Sequence, residues 1–245
     1  MASAQEHYEH HLGPIYSWML GGMAAALENA RAELRALGFH KRKPGLAMDL
    51  GAGPGVYSIP LAELGFSVVA LDTCSVLLEE LKCQPGGESV QAIHGDLTSF
   101  RSHHPEKVDL ILCMTDTLTH LPTREAVEML LQDVRAALKS DGIFVATFRD
   151  HVSAPLEGAA RFIPVHSDEN RILTCFLEYG DETVTVHDIM HVRKGTGWTT
   201  EVSAYPKLRL DPAWVEGKMK HLGFDTVLES GNRGMVRIVG RVHER

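Results

Sequence analysis

Between residues 46 and 148, short apolar runs alternate with stretches of helical character, and this alternation restricts the fold more than any other feature of the chain. The runs are LAMDL (46–50), SVVALD (67–72), SVQAI (89–93), VDLILC (108–113) and GIFVATF (142–148). Between the last two, REAVEMLLQDVRAALK (124–139) carries Val127, Leu130, Leu131, Val134 and Leu138 at helical spacing, which predicts a helix. Strands that alternate with helices predict a parallel sheet covered by helices on both faces. A leading helix is predicted over 23–37, with Gly38 at the position where a glycine commonly ends a helix.

The pattern changes after the fifth run. Residues 171–210 read as β-rich segments with hairpin-like breaks and no helix between them, which predicts an antiparallel insertion within 160–210. A helix at about 212–222, ended at Gly223, and strands at DTVLES and MVRIVG complete the chain. With 245 residues, 44% of them hydrophobic, one sizeable core and a single domain are expected.

Lysine and arginine number 24 against 32 acidic residues, a net charge of −8 that matches poorly to a nucleic-acid backbone, so no nucleic-acid partner is expected. The one basic run, His40-Lys41-Arg42-Lys43, precedes a predicted strand and reads as a solvated connector. The N-terminus lacks a signal pattern, and no run approaches the ~18 apolar residues of a membrane span. A soluble, cytoplasmic protein without a membrane partner is therefore expected, with its four cysteines as free thiols. No metal is expected. His7, His10 and His11 have helical metal-ligand spacing, but Pro14 is expected to cut such a helix short. His187 and His191 lie in a β-rich segment, where four residues span about 13 Å, too far for one ion.

The stretch DLGAGPGVYS (49–58) follows the first predicted strand, where open α/β sheets bind ligands. A dinucleotide fingerprint would need glycine at position 56, which is Val56, and a phosphate loop would need Gly-Lys-Ser/Thr, which is missing. An acid followed by GxGxG instead resembles motif I of the class I S-adenosylmethionine-dependent methyltransferases. Asp72 ends the second predicted strand, where an acid can accept hydrogen bonds from ribose hydroxyls, and Asp96 follows the third. The resemblance implies a Rossmann-like doubly wound sheet of seven strands, an antiparallel β insertion after the fifth strand and an N-terminal helical lid over residues 1–40. It implies S-adenosyl-L-methionine as cofactor, a cofactor-binding core over 45–150, and cofactor contacts from Asp49, Gly51, Gly53, Gly55, Asp72 and Thr73. Asp96 with Leu97 would meet the adenine, and Cys113 and Met114 would complete the contact set.

DLILCMTDTLTHLP (109–122) resembles most the glycine N-methyltransferase group within that family, with SIPLAELGFSVVALD (58–72) and FVATFRDH (144–151) in agreement. That resemblance implies a small-molecule acceptor, with Arg149 holding a substrate carboxylate. The chain departs from the group at Thr115-Asp116, where the group carries Gly-Asn, which puts glycine itself in question. Arg149 can take a carboxylate bidentately, and Asp116 can attract an ammonium or remove its proton. A structural Arg149–Asp116 ion pair, or two solvated strand-end charges, is the alternative. His120 after the fourth strand is a further candidate, either at the chemistry or as a loop cap. Tyr16 and Trp18 are candidate lid contacts, with packing onto the core as the plainer reading. Methyl transfer to an amine or amino-acid-like nitrogen is expected. Transfer to a thiol or metalloid gathered by Cys74, Cys113 and Cys175 is the alternative, and a cofactor-binding regulator without chemistry is the third reading.

Overall fold

The computed structural model describes residues 3–243. Strands β1 (Leu46–Leu50), β2 (Ser67–Asp72), β3 (Val90–His94), β4 (Val108–Cys113) and β5 (Leu138–Phe148) are parallel. Four further strands, β6 (Phe162–Ser167), β7 (Arg171–Tyr179), β8 (Thr183–Lys194) and β9 (Gly197–Leu208), form a separate antiparallel sheet in sequence order. The chain then returns through helix Pro212–His221 to β10 (Phe224–Ser230) and β11 (Val236–Val242), which extend the first sheet on the β5 side. The main sheet runs β10-β11-β5-β4-β1-β2-β3, the doubly wound seven-stranded arrangement that the resemblance implies.

Burial on both faces explains why the central strands read as unbroken apolar runs. Met48, Leu50, Val69 and Ile111 face one layer, packed against helices Arg124–Ala137 and Pro212–His221. Ala47, Val68, Leu110 and Leu112 face the other, covered by helix Met23–Ala36 and by Ile59, Leu61 and Leu81 of the helices after β1 and β2. Helix Arg124–Ala137 starts where the Thr123 hydroxyl accepts the Ala126 N–H at 3.2 Å, and its predicted apolar positions are buried. It ends at Ala137, two residues short of the predicted end. Leu138 is already extended and pairs with Val108 before a bulge, so β5 begins earlier than 142.

After β3 the chain crosses back to the other side of β1, and the carboxyl ends of β1 and β4 become a topological switch point. A Cβ on Gly51 would collide with the Thr117 side chain, so the loops after β1 and β4 can meet there only because position 51 has none.

The N-terminal segment corrects the expectation that Pro14 ends helical structure. Residues 4–19 stay helical throughout: α over Ala4–His7, π over Tyr8–Leu12, 3₁₀ over Gly13–Ile15 and α again over Tyr16–Met19. Pro14 falls in the first turn of the 3₁₀ stretch, where its missing N–H has no intrahelical acceptor to serve, so the helix changes pitch instead of stopping. β6 carries Pro164 and lies at an edge of its sheet, where a lost donor is tolerated. The inner face of this sheet, with Leu177, Val184, Val186 and Tyr205, packs on Leu12 of the N-terminal segment. Among the described residues no helix is long and apolar enough to cross a membrane.

Candidate functional site

The glycine loop is folded back onto β2. The Gly51 and Ala52 N–H groups donate to the Leu71 carbonyl at 2.8 and 3.1 Å, and Gly51 has φ +75°. The Gly53 N–H donates to Asp72 Oδ2 at 2.7 Å, and the Cys74 N–H to Asp72 Oδ1 at 2.8 Å. Burial raises the Asp72 carboxyl against these two hydrogen bonds, which fix its orientation and leave lone pairs on both oxygens. A narrow cleft of about 90 Å³ opens here, lined by Gly51, Gly53, Asp72, Thr73, Leu97 and Thr117 among others, and roofed by Ala4, Gln5, Tyr8 and Tyr16. Gly53 faces it: a Cβ there would stand 3.8 Å from Leu77 and 3.9 Å from Tyr16.

Not every residue proposed for this cleft reaches it. Asp49 is buried beneath the loop, where the Ser58 hydroxyl donates to it at 2.6 Å and burial pushes its carboxyl up to about 7. Gly55 packs against Leu81 and Ile59. Asp96 points away and accepts from the Thr98 N–H at 2.7 Å, so its neighbours Gly95 and Leu97 form the wall. Cys113 and Met114 are corrected as well: each is buried in the core, one on either face of the sheet, and Thr115 takes the place at the cleft.

Trp18 also departs from expectation. Its Nε1 donates to Asp168 at 2.6 Å in the turn between β6 and β7, and the Arg171 guanidinium lies 4.3 Å from its ring centre. Two residues apart on a helix point to nearly opposite sides, so Tyr16 and Trp18 could not both face one ligand.

A second, open cavity of about 950 Å³ lies beside the cleft, between the main sheet, the N-terminal segment and the antiparallel sheet. Tyr8, Tyr16 and Thr115 line both spaces, so the two meet at these residues. Thr115 and Asp116 both have positive φ, 56° and 75°, an uncommon pair of left-handed residues that turns the chain sharply after β4.

Asp116 does not pair with the Arg149 side chain, so the structural ion pair between them is not formed. Its Oδ1 accepts the Arg149 backbone N–H at 2.9 Å, and its Oδ2 accepts Lys207 Nζ at 2.6 Å. Burial disfavours its charge, but Lys207 and the hydrogen bonds outweigh that and hold the carboxyl at about 2. A carboxylate so placed is a weak proton acceptor at neutral pH. The Arg149 guanidinium instead donates to the Arg233 carbonyl at 3.1 Å, at the cavity rim. His120 lies between Tyr8, whose hydroxyl is 3.3 Å from Nε2, and Tyr205, on which it stacks. Burial, helped by Lys207, lowers it to about 3, so it is neutral, and its Nδ1 is buried without a partner. Burial raises the Tyr8, Tyr16 and Tyr205 hydroxyls, which therefore stay protonated.

Lys207, Tyr205 and His151 escaped the sequence reading. Tyr205 and Lys207 stand two apart on β9, on the face that alternation turns inward, and that was the available signal. His151 is 5% exposed, held by burial at about 4, and its Nε2 has no partner. His187 and His191 make only surface contacts, to Glu178 and Thr200. His7 is buried between Asp188 and Ser203, at 2.8 and 2.7 Å. No group of metal-ligating side chains converges among the described residues. The cysteines do not gather: Cys74 and Cys113 are buried, and only Cys175 lines the cavity, its thiol donating to Asp188 at 2.7 Å.

Comparison with known proteins agrees with this architecture. Residues 47–142 match a protein-family model described as "Methyltransferase domain". Over 106 residues the chain is 27% identical to a glycine/sarcosine N-methyltransferase of Aphanothece halophytica, covering 42% of this chain and 40% of that protein. It is 26% identical over 109 residues to a glycine/sarcosine/dimethylglycine N-methyltransferase of Actinopolyspora halophila, covering 43% and 19%. The matched region thus spans well under half of either relative. Among solved structures, DesVI of Streptomyces venezuelae superposes with a TM-score of 0.73 at 16% identity, covering 91% of this chain and 92% of that one. The CcbJ methyltransferase of Streptomyces caelestis gives 0.72 at 18%, covering 88% and 89%. At these identities the likeness is one of fold.

Proposed function

We propose that this chain, which carries a methyltransferase domain of the class I fold, is an enzyme that moves the methyl group of S-adenosylmethionine onto an amine nitrogen of a small molecule. The observation that carries the reading is the junction of the two spaces. A narrow cleft built from the glycine loop and Asp72 meets a wide cavity of mixed apolar and charged lining at Tyr8, Tyr16 and Thr115, so a group bound in one reaches the other.

The cleft suits the cofactor on its own chemistry. Asp72 has lone pairs free for ribose hydroxyls, Gly53 presents bare backbone, and the unpartnered Nδ1 of the neutral His120 lies beside the cleft. No lysine is needed, because this cofactor has no phosphate. When bound it supplies a methyl on a positively charged sulfur, already activated for displacement. What the protein adds is alignment and the exclusion of water, an effect worth up to ~7–11 kcal/mol.

Several groups at or beside the cavity are poor proton acceptors near pH 7. Asp116 is locked with Lys207, His151 and His120 are held neutral and weakly basic, and the tyrosines keep their protons. With these groups unavailable, the acceptor amine gives its proton to solvent in the open cavity before it reaches Thr115. At about 950 Å³ the cavity is of the size that holds drug-sized ligands, and free glycine would leave most of it empty. The amine specificity in the names of the curated relatives supports nitrogen as acceptor atom, and Arg149 at the rim suits an acid group on the same molecule.

The test is transfer of an isotope-labelled methyl from S-adenosylmethionine into a fractionated metabolite extract, with products identified by mass spectrometry. A labelled amine larger than a free amino acid is expected. A labelled thioether would transfer the reading to sulfur, and binding without any product would leave only a cofactor-binding protein.

A further inference from the structure

Of the four lysine and arginine side chains that line the wide cavity, two are matched by carboxylates and two are not. Lys207 is matched by Asp116 at 2.6 Å and Arg237 by Glu33 at 2.9 Å, while Asp188 is hydrogen-bonded to His7 at 2.8 Å. Arg149 and Arg233 line the same cavity and have no carboxylate partner among the described residues. They come from adjacent turns, after β5 and between β10 and β11, and the Arg149 guanidinium is tied to the Arg233 carbonyl. Both are exposed, so each guanidinium is free to meet an anion that enters the cavity.

Their surroundings separate them. Arg149 directly follows β5, and it lines the cavity with His151, two residues on, and with Cys175 of the antiparallel sheet. The Arg233 turn is wired to the opposite side. Asn232 Nδ2 donates to Glu33 at 2.8 Å, and the same Glu33 oxygen accepts the Tyr57 hydroxyl at 2.7 Å. Tyr57 ends the glycine loop and precedes helix Ser58–Glu63. Arg233 lines the cavity together with Tyr57 and Tyr16, and its charge favours ionisation of both. Of the arginines on the helix that covers that end, Arg31 is occupied by Glu63 at 2.7 Å, and Arg35 does not line the cavity.

We infer that Arg233 binds the carboxylate of the cofactor's methionine portion, leaving Arg149 for an acid group on the acceptor. The assignment rests on the cofactor reading given above and makes Arg233 a cofactor-binding residue contributed by the β10–β11 turn, far in sequence from the glycine loop. Arg233 stands in the left-handed region at φ +55°, the conformation that the short turn between β10 and β11 gives it.

The test compares two ligands that share the thioadenosine portion, S-adenosylhomocysteine, which has the amino-acid end, and 5′-methylthioadenosine, which lacks it. Affinities are measured by calorimetry on the whole chain. The wild type should bind the first more tightly. Arg233→Gln should weaken S-adenosylhomocysteine about 10- to 100-fold, the range expected for a charge-assisted hydrogen bond, and change 5′-methylthioadenosine by less than about twofold. Arg233→Lys should recover part of the loss, and Arg149→Gln should cost S-adenosylhomocysteine no more than about threefold. Equal loss for both ligands, or no loss for either, would overturn the assignment while leaving the cofactor reading intact. Failure of the wild type to bind either ligand would overturn the cofactor reading itself.

Discussion

The narrow cleft and the wide cavity share three residues yet are assembled in opposite ways. Apart from the roof, the cleft comes from short segments at the ends of β1 to β4, spanning Gly51 to His120. The cavity draws on the N-terminal segment, the turn after β4, the antiparallel sheet and the β10–β11 turn, from Tyr8 to Arg237. Its charges are held by partners distant in sequence, such as Asp116 and Lys207, 91 positions apart. A ligand that every protein of this fold shares can be held by a fixed local motif. An acceptor that varies has to be met by side chains that vary, on elements added around the common sheet.

The largest expected effect falls on the cavity. Lys207→Met strands the Asp116 carboxylate, whose side chain is only 7% exposed, and should destabilise the fold by about 3–5 kcal/mol in urea unfolding. The double variant Lys207→Met with Asp116→Leu should recover most of that. If the single variant cost under about 1 kcal/mol, the pair would not be the strut that separates cavity from cleft.

Acid comes next. Burial depresses His151 to about 4 and His120 to about 3 in the folded state, whereas in the unfolded chain each titrates near its ordinary value. Their stabilising contribution is complete above about pH 6.5 and is lost as pH falls toward about 4, at up to ~1.4 kcal/mol per pH unit for each. Asp116 adds a second loss between about pH 4 and about pH 2. Unfolding free energy measured against pH should begin to fall near 6.5, and His151→Phe should flatten that slope. A plateau down to pH 5 in the wild type would mean that water reaches these rings.

On the cleft side, Asp72→Asn should weaken S-adenosylhomocysteine by about 10- to 100-fold, since the amide keeps only one acceptor oxygen for two backbone donors and a ribose. The smallest effect is expected at Trp18. Trp18→Phe should leave that affinity unchanged within about twofold, because its contacts are to Asp168, Arg171 and His166. A large loss would return Trp18 to the cofactor.

The same division governs what could be read in the sequence. Strand positions, the switch-point loop and Asp72 were legible because each is fixed by neighbours a few residues away: apolar periodicity, bare glycine backbone and an acid at a strand end. The placement of Asp116 at the cavity was legible too, but its charge state was not, because that depends on Lys207 of another sheet. The reading of Trp18 failed on helical phase and that of Asp96 on local capping, which a short polar side chain satisfies more readily than a distant ligand. The orphaned ring of His151 carries no mark in sequence, because burial arises only when the antiparallel sheet closes over it.

The roof of the cleft has a consequence for how the protein is made. His7 is fixed by Asp188, 181 positions later, and by Ser203, 196 positions later. On a ribosome the N-terminal segment therefore emerges well before its anchors, by on the order of ten to forty seconds at ordinary rates of synthesis. The sheet strands β1 to β5 and the glycine loop can pair during that interval, while residues 4–19 wait beside them with Leu12 and Tyr8 uncovered. The segment that roofs the cleft is thus made well before the strands that anchor it.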